Sequence, residues 1–524
     1  MTTRGLRVHR DTYLDSLLLM ATTVTMDQRT GVSWAGAVMA SPRGLEDLAA
    51  AGFSVAELDG LDANDLVLAV AADDDQTLEA ALDAGRDAAF AERRPASAGA
   101  TAEAPPADLA EAVRREPGMS VAVVSVPGEY AALEAHHALT AGLHVLLFSD
   151  NVPVEEEVEL KERGLRLGRL VMGPGAGTAV LAGTGLGFAN VLTAEPVEGV
   201  RGVGVVAAAG TGAQEASTLL DRWGVPVTQV IGVGGRDLTA RVGGRMARAA
   251  LRTLDADPAT GVVLLVSKPP DAHVAEAVLA ECRGTPVVAV FLGLGVAAGR
   301  HLRTAGEVRL EPTLEAGARA AAALAGADPP ATDPGLRERV AVAARELPAA
   351  RRAVRGLFSG GTLCYEAQWV LERLLGPVWS NEPLRPEHTL PAPEGAPVLL
   401  DLGAEEYTRG RPHPMIDPES RLQLIRETAA DPTVAVVLLD VVLGHASAED
   451  PAGRLAPVCA EATAAGGPRI VAYLLGTEAD PQRYSAQRAR LEEAGCLVAD
   501  TNARGAYAAA ALALRRPELV EEGT

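Results

Sequence analysis

Two short Gly-Thr segments carry residue types that bind phosphate-like anions. The first reads GTGAQEA from Gly210 and the second reads GTLCYEA from Gly361, and they agree at four of seven positions. Each segment follows an apolar run and precedes a helical one, so we expect the unpaired N–H groups of a helix start to face an anion. Thr211, Ser359 and Thr362 would add hydroxyl donors. A Gly-Thr turn can also simply cap a helix, but two matched copies favour one phosphate held between both.

A glutamate follows each Gly-Thr pair after about one helical turn. Glu215 and Glu366 each lie five residues beyond the glycine, where a carboxylate could hold a histidine or a substrate N–H group. A salt bridge to arginine is the alternative. We predict both glutamates as catalytic residues.

The segment RGRPHPMIDP, residues 409–418, is too rich in proline for a helix or strand. It concentrates guanidinium, imidazole and carboxylate groups in ten residues. Arg411 could fix an oxamate-like carboxylate or a phosphate through its fork, with His413 as a hydrogen-bond donor or proton shuttle. A rigid structural loop is the alternative reading. We predict Arg411 and His413 as catalytic residues.

Two further strand ends offer donors to the same site. The loop VGGRD supplies Gly234, Gly235 and Arg236, although it could be a tight turn with a solvated ion pair, and Lys268 in SKPP could equally be a surface lysine. The predicted phosphate or substrate contacts are Gly210, Thr211, Gly212, Gly234, Gly235, Arg236, Lys268, Ser359, Gly360, Gly361 and Thr362.

Composition limits the possible ligands and location. The chain has 47 Lys+Arg against 69 Asp+Glu, a formal net charge of −22, which argues against general binding of nucleic acid or anionic membrane. Any small anionic substrate must therefore be held by local donors. The four cysteines lie far apart without a CxxC pair, so we predict no metal site and a cytoplasmic protein. No G-x-x-x-x-G-K loop is present, and the G-x-G-x-x-G fingerprint is missing after the first strand.

Short β-branched runs alternate with Ala/Leu-rich stretches along most of the chain, which indicates an α/β protein with parallel sheets. Ser120–Val126 and Leu143–Phe148 are predicted strands, and Glu129–Thr140 and Glu155–Arg163 are predicted helices. We therefore expect a Rossmann-like domain over residues 1–200, interrupted by a flexible segment at 94–108.

An internal repeat organises the remainder. After the Gly-Thr segments, Asp257-Pro258 with GVVLLV matches Asp431-Pro432 with AVVLLD, and PVVAVFLG from Pro286 matches PRIVAYLLG from Pro468. The second copy carries an insertion between its first two landmarks. We expect two related flavodoxin-like, ligase-type domains, at residues 201–330 and 350–524.

These residues resemble the FdrA family, distant relatives of the NDP-forming acyl-CoA synthetases such as succinyl-CoA synthetase. The similarity rests on Asp15-Ser16, SVPGEYAALEA, LLFSDNV, VMGPGAGT, GVGGRDL, SKPP, SGGTLCYEA, and GRPHPMIDP followed by LLDVVLG, and it spans nearly the whole chain. In the synthetases, the resemblance implies, two such helix starts hold phosphate during acyl-phosphate chemistry. The glutamate matching Glu215 positions a phosphorylated histidine there.

The sequence departs from the synthetase pattern at several points. No ATP-grasp module is recognisable, VHRDTYLDS replaces the Gly-rich CoA loop, Gly175-Ala176 replace an Asn-Cys pair, and His301 lacks the usual Gly-His-Ala-Gly setting. These departures argue against CoA binding, and no cofactor is assigned.

The FdrA resemblance implies a subunit of oxamate carbamoyltransferase in purine (allantoin) catabolism. That enzyme converts oxalurate and phosphate to oxamate and carbamoyl phosphate together with two further protein subunits, and a homo-oligomer is also compatible. Phosphate or carbamoyl phosphate would then be a substrate. An NDP-forming acyl-CoA synthetase and a non-catalytic scaffold subunit are the alternatives.

Overall fold

The computed structural model describes residues 3–10, 12, 14, 16–54, 60–90, 105–281, 283–294, 307–331, 333–408 and 412–522. They form two compact units, Met1–Pro105 and Pro106–Thr524. No helix within the described ranges is long and apolar enough to cross a membrane. Most of the predicted flexible segment 94–108 lies outside the described residues, but Asp108 is described and caps a helix, accepting from the Glu111 N–H group.

The first unit is built around an antiparallel sheet, which corrects the prediction of a parallel, Rossmann-like fold from residue 1. Its order is β1-β3-β2 in the described part, and every residue of the central strand β3 is buried. Met26 and Leu82 pack on one face of the sheet and Leu48 and Phe53 on the other. The elements are β1 (Thr3–His9), α1 (Ser16–Asp27), β2 (Val32–Met39), α2 (Pro42–Ala50), β3 (Leu66–Ala72) and α3 (Asp75–Ala89).

The second unit opens with the predicted βαβ pattern. Its first strands pair in parallel in the order β4-β5-β6, which confirms the two strands and two helices predicted between residues 120 and 163. The Rossmann-like part therefore begins after residue 105 rather than at residue 1. The elements are α4 (Leu109–Arg115), β4 (Val121–Val124), α5 (Gly128–Thr140), β5 (His144–Leu147), α6 (Val154–Leu167) and β6 (Val171–Met172).

The first repeat forms a mostly parallel sheet, in the order β13-β12-β11-β9-β10-β7-β8 for the described strands. The hairpin β7-β8 precedes residue 200 but pairs antiparallel with β10, so this sheet crosses the predicted boundary at 200/201. The elements are β7 (Thr178–Leu181), β8 (Thr184–Gly187), β9 (Gly202–Ala208), α7 (Gly210–Arg222), β10 (Val227–Gly232), α8 (Arg245–Asp255), β11 (Thr260–Ser267), α9 (Ala272–Leu279), β12 (Val287–Phe291), β13 (Val308–Glu311) and α10 (Leu314–Ala325).

The second repeat forms a parallel sheet, in the order β15-β16-β14-β17-β18-β19 over its described residues. The elements are α11 (Leu336–Glu346), β14 (Ala353–Phe358), α12 (Gly361–Leu375), β15 (Trp379–Ser380), β16 (Val398–Asp401), α13 (Glu405–Thr408), α14 (Glu419–Ala430), β17 (Val434–Val442), α15 (Pro451–Thr463), β18 (Arg469–Leu475), α16 (Tyr484–Glu493), β19 (Leu497–Ala499) and α17 (Asn502–Leu514). Single 3₁₀ turns cover Pro386–His388, Ala464–Gly466 and Pro517–Glu521. Together with the first repeat, this confirms the mixed α/β class.

Strand register relates the two repeats residue by residue. In the first, β9 lies between β10 and β11, and Ala207 pairs with Gly232 and Val266. In the second, β14 lies between β16 and β17, where Phe358 pairs with Asp401 and the preceding pair is Leu357 with Leu439. Gly232 and Val266 therefore correspond to Asp401 and Asp440. One apolar cluster, including Val205, Ala216, Phe358, Ala367 and Ala509, joins both repeats.

Candidate functional site

The helices α7 and α12 both begin without a side-chain cap. Ala209 and Gly360 are their N-cap residues, and neither supplies an acceptor to the first-turn N–H groups. Other helices of the same repeats are capped: Thr313 accepts from the Ala316 N–H group and Thr501 from the Arg504 N–H group. Uncapped first turns keep amide donors and the positive end of the helix dipole for a ligand.

The two helix starts lie directly against each other. A Cβ added to Gly360 would lie 2.8 Å from Cγ2 of Thr211, and a Cβ added to Gly212 would lie 2.9 Å from Cγ2 of Thr362. The contact is reciprocal between the repeats. Glycine is required at both places because any side chain would push the helices apart.

A cavity of 610 Å³ opens in front of these helix starts. It collects most of the predicted ligand contacts, and an apolar wall of Phe148, Phe188, Met415 and Ile416 contributes to its lining. Predicted residues in the lining are Gly210, Thr211, Gly234, Gly235, Arg236, Lys268, Ser359, Gly360, Gly361, Thr362 and His413. Gly212, Glu215 and Glu366 are outside the lining, and Arg411 and His301 lie outside the described residues.

Thr211 is among the residues that line this cavity, and it carries a buried hydroxyl group without a hydrogen-bond partner. The residue is only 7 % exposed, and Oγ1 has no hydrogen-bond partner. A buried hydroxyl without a partner costs free energy unless a ligand or water satisfies it. The hydroxyl oxygen lies 2.9 Å from the place of a Cβ on Gly360, so the unpartnered group lies where the two helix starts meet.

Lys268 supplies a cation at the end of β11. Its Nζ lies 5.2 Å from the ring centroid of Tyr365, a residue of α12, so a side chain of the second repeat holds a lysine of the first. The residue is half-buried and lines the cavity. This supports the ligand-facing reading of Lys268 over the surface reading.

Arg236 lines the cavity, but the structure uses part of its fork elsewhere. Its Nε donates to Oε2 of Glu157 at 2.9 Å and its Nη2 donates to the carbonyl of Val152 at 2.7 Å. Glu157 also pairs with the fully buried Lys161, which in turn pairs with Asp237 at 2.8 Å. This network ties the Rossmann-like part to the first repeat, so Arg236 has a structural role beside any contact with a ligand.

Asp440 occupies donors that the sequence assigns to a phosphate. Its Oδ1 accepts from the N–H group of Ser359 at 2.7 Å and from the Ser359 hydroxyl at 2.9 Å, and its Oδ2 accepts from the N–H group of Gly360 at 2.7 Å. The prediction that Ser359 donates its hydroxyl to the ligand is therefore corrected. Arg421, 2 % exposed, pairs with Asp440 at 3.1 Å and compensates the buried charge.

Asp401 lies beside the start of α12. A Cβ on Gly361 would lie 2.5 Å from its Oδ2, and its Oδ1 accepts from the N–H group of Gly403 at 3.0 Å. Burial raises the pKa of Asp401 to about 6, while the charge of Lys268 opposes this shift. The second helix start thus has a titratable carboxyl group next to it.

His413 lies in the cavity as a neutral imidazole near neutral pH. Burial lowers the pKa of His413 to about 4, and its ring centroid lies 5.9 Å from that of Phe188. Its Nδ1 accepts from the N–H group of Met415 at 3.2 Å, which assigns the ring proton to Nε2. As a donor through Nε2 the side chain fits its predicted role, but it brings no positive charge.

The two predicted catalytic glutamates bind backbone groups away from the cavity. Oε1 of Glu366 accepts from the N–H group of Leu314 at 2.7 Å, and Oε1 of Glu215 accepts from the N–H group of Asn502 at 3.0 Å. Glu366 of the second repeat thus accepts a hydrogen bond from the start of α10, the last helix of the first repeat. Glu215 of the first repeat accepts one from the start of α17, the last helix of the second repeat. Oε2 of Glu366 also accepts from the side-chain amide of Asn502 at 2.8 Å.

Both glutamates are fully buried, and burial raises the pKa of Glu366 to about 7 and that of Glu215 well above its ordinary value. These contacts assign them to domain assembly and correct the reading in which they act on a substrate.

Sequence reasoning missed Asp401 and Asp440. Asp440 is the one charged residue of the otherwise apolar, wholly buried nine-residue strand Val434–Val442. A carboxylate at such a position must be paired or hydrogen-bonded, which is a signal that the sequence did contain.

Comparisons with known proteins follow the same division of the chain. The CoA-ligase family model matches residues 357–512, and the model described as AllF, heavy metal-associated domain, matches residues 1–106. YahF of Escherichia coli (strain K12) is 35% identical over 508 residues, which cover 94% of this chain and 95% of YahF. The chain belongs to the FdrA-type, succinyl-CoA synthetase-like family.

A curated protein and a solved structure are also similar to parts of this FdrA-type chain. Subunit alpha 2 of the ADP-forming succinate–CoA ligase of Archaeoglobus fulgidus is 29% identical over 202 residues, covering 38% of this chain and 67% of that subunit. The solved structure is the apo form of the dinucleotide-forming acetyl-coenzyme A synthetase 1 of Ca. Korarchaeum cryptofilum. The structural match covers 77% of this chain and 85% of that protein, at 14% sequence identity and a TM-score of 0.31.

These comparisons correct the predicted reaction. The matched family model and the matched ligase subunit are of CoA-ligase type, and none of them supports carbamoyl transfer or a place in allantoin degradation. The expectation of a carbamoyltransferase is wrong.

The heavy-metal description of the first region does not fit its residues. Residues 1–106 contain no cysteine and a single histidine, His9, whereas heavy metals prefer thiolate and imidazole ligands. No group of three or more candidate ligands comes together in the described part of the chain. The composition of residues 1–106 therefore does not support a heavy-metal site.

Proposed function

We propose that this chain is a ligase-type subunit that holds a phosphoryl group between α7 and α12 while an acyl phosphate forms or breaks down. The observation that carries the proposal is the buried, unpartnered hydroxyl of Thr211 at two facing, uncapped helix starts. The CoA-ligase match over residues 357–512 supports the reaction class.

The donors fit the charge changes of such a reaction. When a carboxylate oxygen attacks a phosphorus atom, negative charge spreads over the phosphoryl oxygens, and fixed N–H donors with a nearby cation stabilise it. The first turns of α7 and α12, the Thr211 hydroxyl and Lys268 supply those groups. Net charge does not oppose this, because contacts at hydrogen-bond distance are screened far less than charges beyond a Debye length of about 8 Å.

The cavity also has room for the acyl part. Its 610 Å³ greatly exceeds a phosphate group, and Phe148, Phe188, Met415 and Ile416 offer an apolar wall to the rest of the substrate. We assign the nucleotide of such a reaction to a partner subunit. We assign no further cofactor to this chain.

The test is calorimetric titration of the purified chain with phosphate and, separately, with acetyl phosphate at fixed ionic strength. We expect both to bind and to compete, and Lys268→Met to weaken both by about tenfold because it removes the cation. Arg426→Met is the matched control, since this exposed arginine pairs with Glu461 away from the cavity. Failure of both ligands to bind the native chain would support the scaffold alternative instead.

A further inference from the structure

The two helix starts differ in the charge beside them. At the start of α7 the neighbouring strand positions are Gly232 and Val266, which are neutral. At the start of α12 the equivalent positions are Asp401 and Asp440. Asp440 is neutralised by Arg421 and by donors of the turn, as described above. Two carboxyl groups thus remain near a bound anion: Asp150 lines the cavity beside Gly175, and Asp401 lies beside the start of α12. Only Asp401 is next to the first-turn N–H groups of that helix.

The charged groups around Asp401 act in opposite directions on the protonation of its carboxyl group. Lys268 faces it from the end of β11 and favours the carboxylate, whereas Glu382 and Asp440 repel it. His413 also packs here, with Nε2 2.7 Å from the place of a Cβ on Gly403, and this imidazole is neutral near neutral pH. Lys268 is thus the cation that balances Asp401, and the same lysine faces the cavity where the anion would bind.

We propose that binding of a dianion at the start of α12 is coupled to uptake of one proton by Asp401. The inference rests on the proposed function, since it needs an anion at this site. An anion on the N–H groups of Gly361 and Thr362 would lie beside Oδ2 of Asp401 and would draw Lys268 to itself. A proton from solvent on the carboxyl group removes the repulsion and turns Asp401 from an acceptor into a donor to an anion oxygen.

Burial favours this exchange. It raises the pKa of Asp401 to about 6, so little further change is needed for protonation near neutral pH. A bound anion shifts the carboxyl group in the same direction as burial does, because both disfavour its charged form. The site would then prefer dianions at lower pH and release them as the pH rises.

The experiment uses sulfate as the probe, because sulfate remains a dianion throughout the range of interest while phosphate itself titrates. Sulfate affinity of the native chain is measured by calorimetry at steps between about pH 6 and 8.5, in buffers of different ionisation enthalpy. We expect the affinity to fall about tenfold per pH unit in the upper part of this range, with uptake of about one proton per sulfate bound. Asp401→Asn should bind sulfate with no such slope and without proton uptake.

Asp431→Asn is the matched control. This aspartate lies just before the first residue of β17, at the end of the strand away from Asp440, and accepts hydrogen bonds from Thr433. It should keep the native slope. A native chain that binds sulfate equally across the range, or a slope retained in Asp401→Asn, would overturn the coupling while leaving the anion site standing. Absence of sulfate binding at every pH would overturn the anion site itself and the coupling with it.

Discussion

The starts of α7 and α12 share one backbone design and differ in electrostatics. Both are uncapped, and both approach the other through a glycine. The strand positions beside α7 carry no acid, whereas Asp401 and Asp440 accompany α12. Both helix starts therefore offer amide donors. The residues on the neighbouring strands determine whether a helix start can bind an anion without first neutralising an acidic side chain. The first repeat supplies a helix start without an acidic neighbour, and the second supplies a helix start beside the titratable Asp401.

The buried glutamates show the opposite behaviour, because here the two repeats act alike. Glu215 and Glu366 each bind an N–H group at the start of the other repeat's last helix. A cap made within one repeat would not join the two. The reciprocal arrangement ties the repeats together and so keeps α7 and α12 facing each other.

The largest expected effect comes from removing one of these caps. Glu366→Ala leaves the Leu314 N–H group and one of the two N–H groups of the Asn502 side-chain amide unpaired in the core, so we expect the free energy of unfolding to fall by about 4 kcal/mol. Glu215→Ala removes a single bond to Asn502 and should cost about 2 kcal/mol. Urea denaturation of both variants measures the difference. Equal, small losses would contradict the reciprocal-cap interpretation.

Much of the fold can be predicted from the sequence because its signals are local. The helix predicted from Glu129 to Thr140 is observed as Gly128–Thr140, and the strand predicted from Leu143 to Phe148 is observed as His144–Leu147. The repeat could be recognised because matched landmarks recur in order. The antiparallel first unit was missed, because the residues of a strand give no sign of which partner strand it pairs with.

A second prediction concerns His413, which lies between β16 and α14 in the second repeat. Burial lowers the pKa of His413 to about 4, so the unfolded chain, with an ordinary value near 6.5, binds this proton more readily. Stability contributed by the neutral side chain is present above about pH 6.5 and is lost as the pH falls toward 4.

The variant His413→Gln isolates this contribution. The native-minus-variant difference in free energy of unfolding should decrease by as much as about 3 kcal/mol on acidification through that window. Denaturation curves at several pH values provide the measurement. A difference that stays constant with pH would show that the imidazole is not held neutral by the fold.

The third prediction compares the two leading glycines. A Cβ at Gly361 would lie 2.5 Å from Asp401 Oδ2, whereas no atom lies within 4 Å of a Cβ at Gly210. Gly361→Ala should therefore destabilise the chain by about 2 kcal/mol through overpacking, and Gly210→Ala by less than about 0.5 kcal/mol. Thermal or urea unfolding of the pair decides this. Equal losses would mean that the acid beside α12 imposes no steric difference.

The candidate site could be predicted only in part, for a physical reason. Backbone donors at Gly-Thr turns are encoded in adjacent residues, so Thr211 and Gly361 could be found from the sequence. The partner of Ser359 is Asp440, 81 positions away, and its identity depends on the order of strands in the sheet. The repeat also drew attention to Glu215 and Glu366, but spacing alone cannot distinguish a glutamate that caps a helix from a catalytic one.

The smallest expected effect tests the start of α7, in the first repeat. Thr211→Val replaces the unpartnered hydroxyl with a methyl group of similar size, so folding should be unchanged or slightly more favourable. Phosphate affinity should fall about fivefold, which corresponds to about 1 kcal/mol for one lost hydrogen bond. Thr253→Val is the control, because this exposed hydroxyl donates to the Ala249 carbonyl on α8. Unchanged affinity in Thr211→Val, with phosphate still bound, would assign the anion to the α12 start alone and remove the shared character of the site.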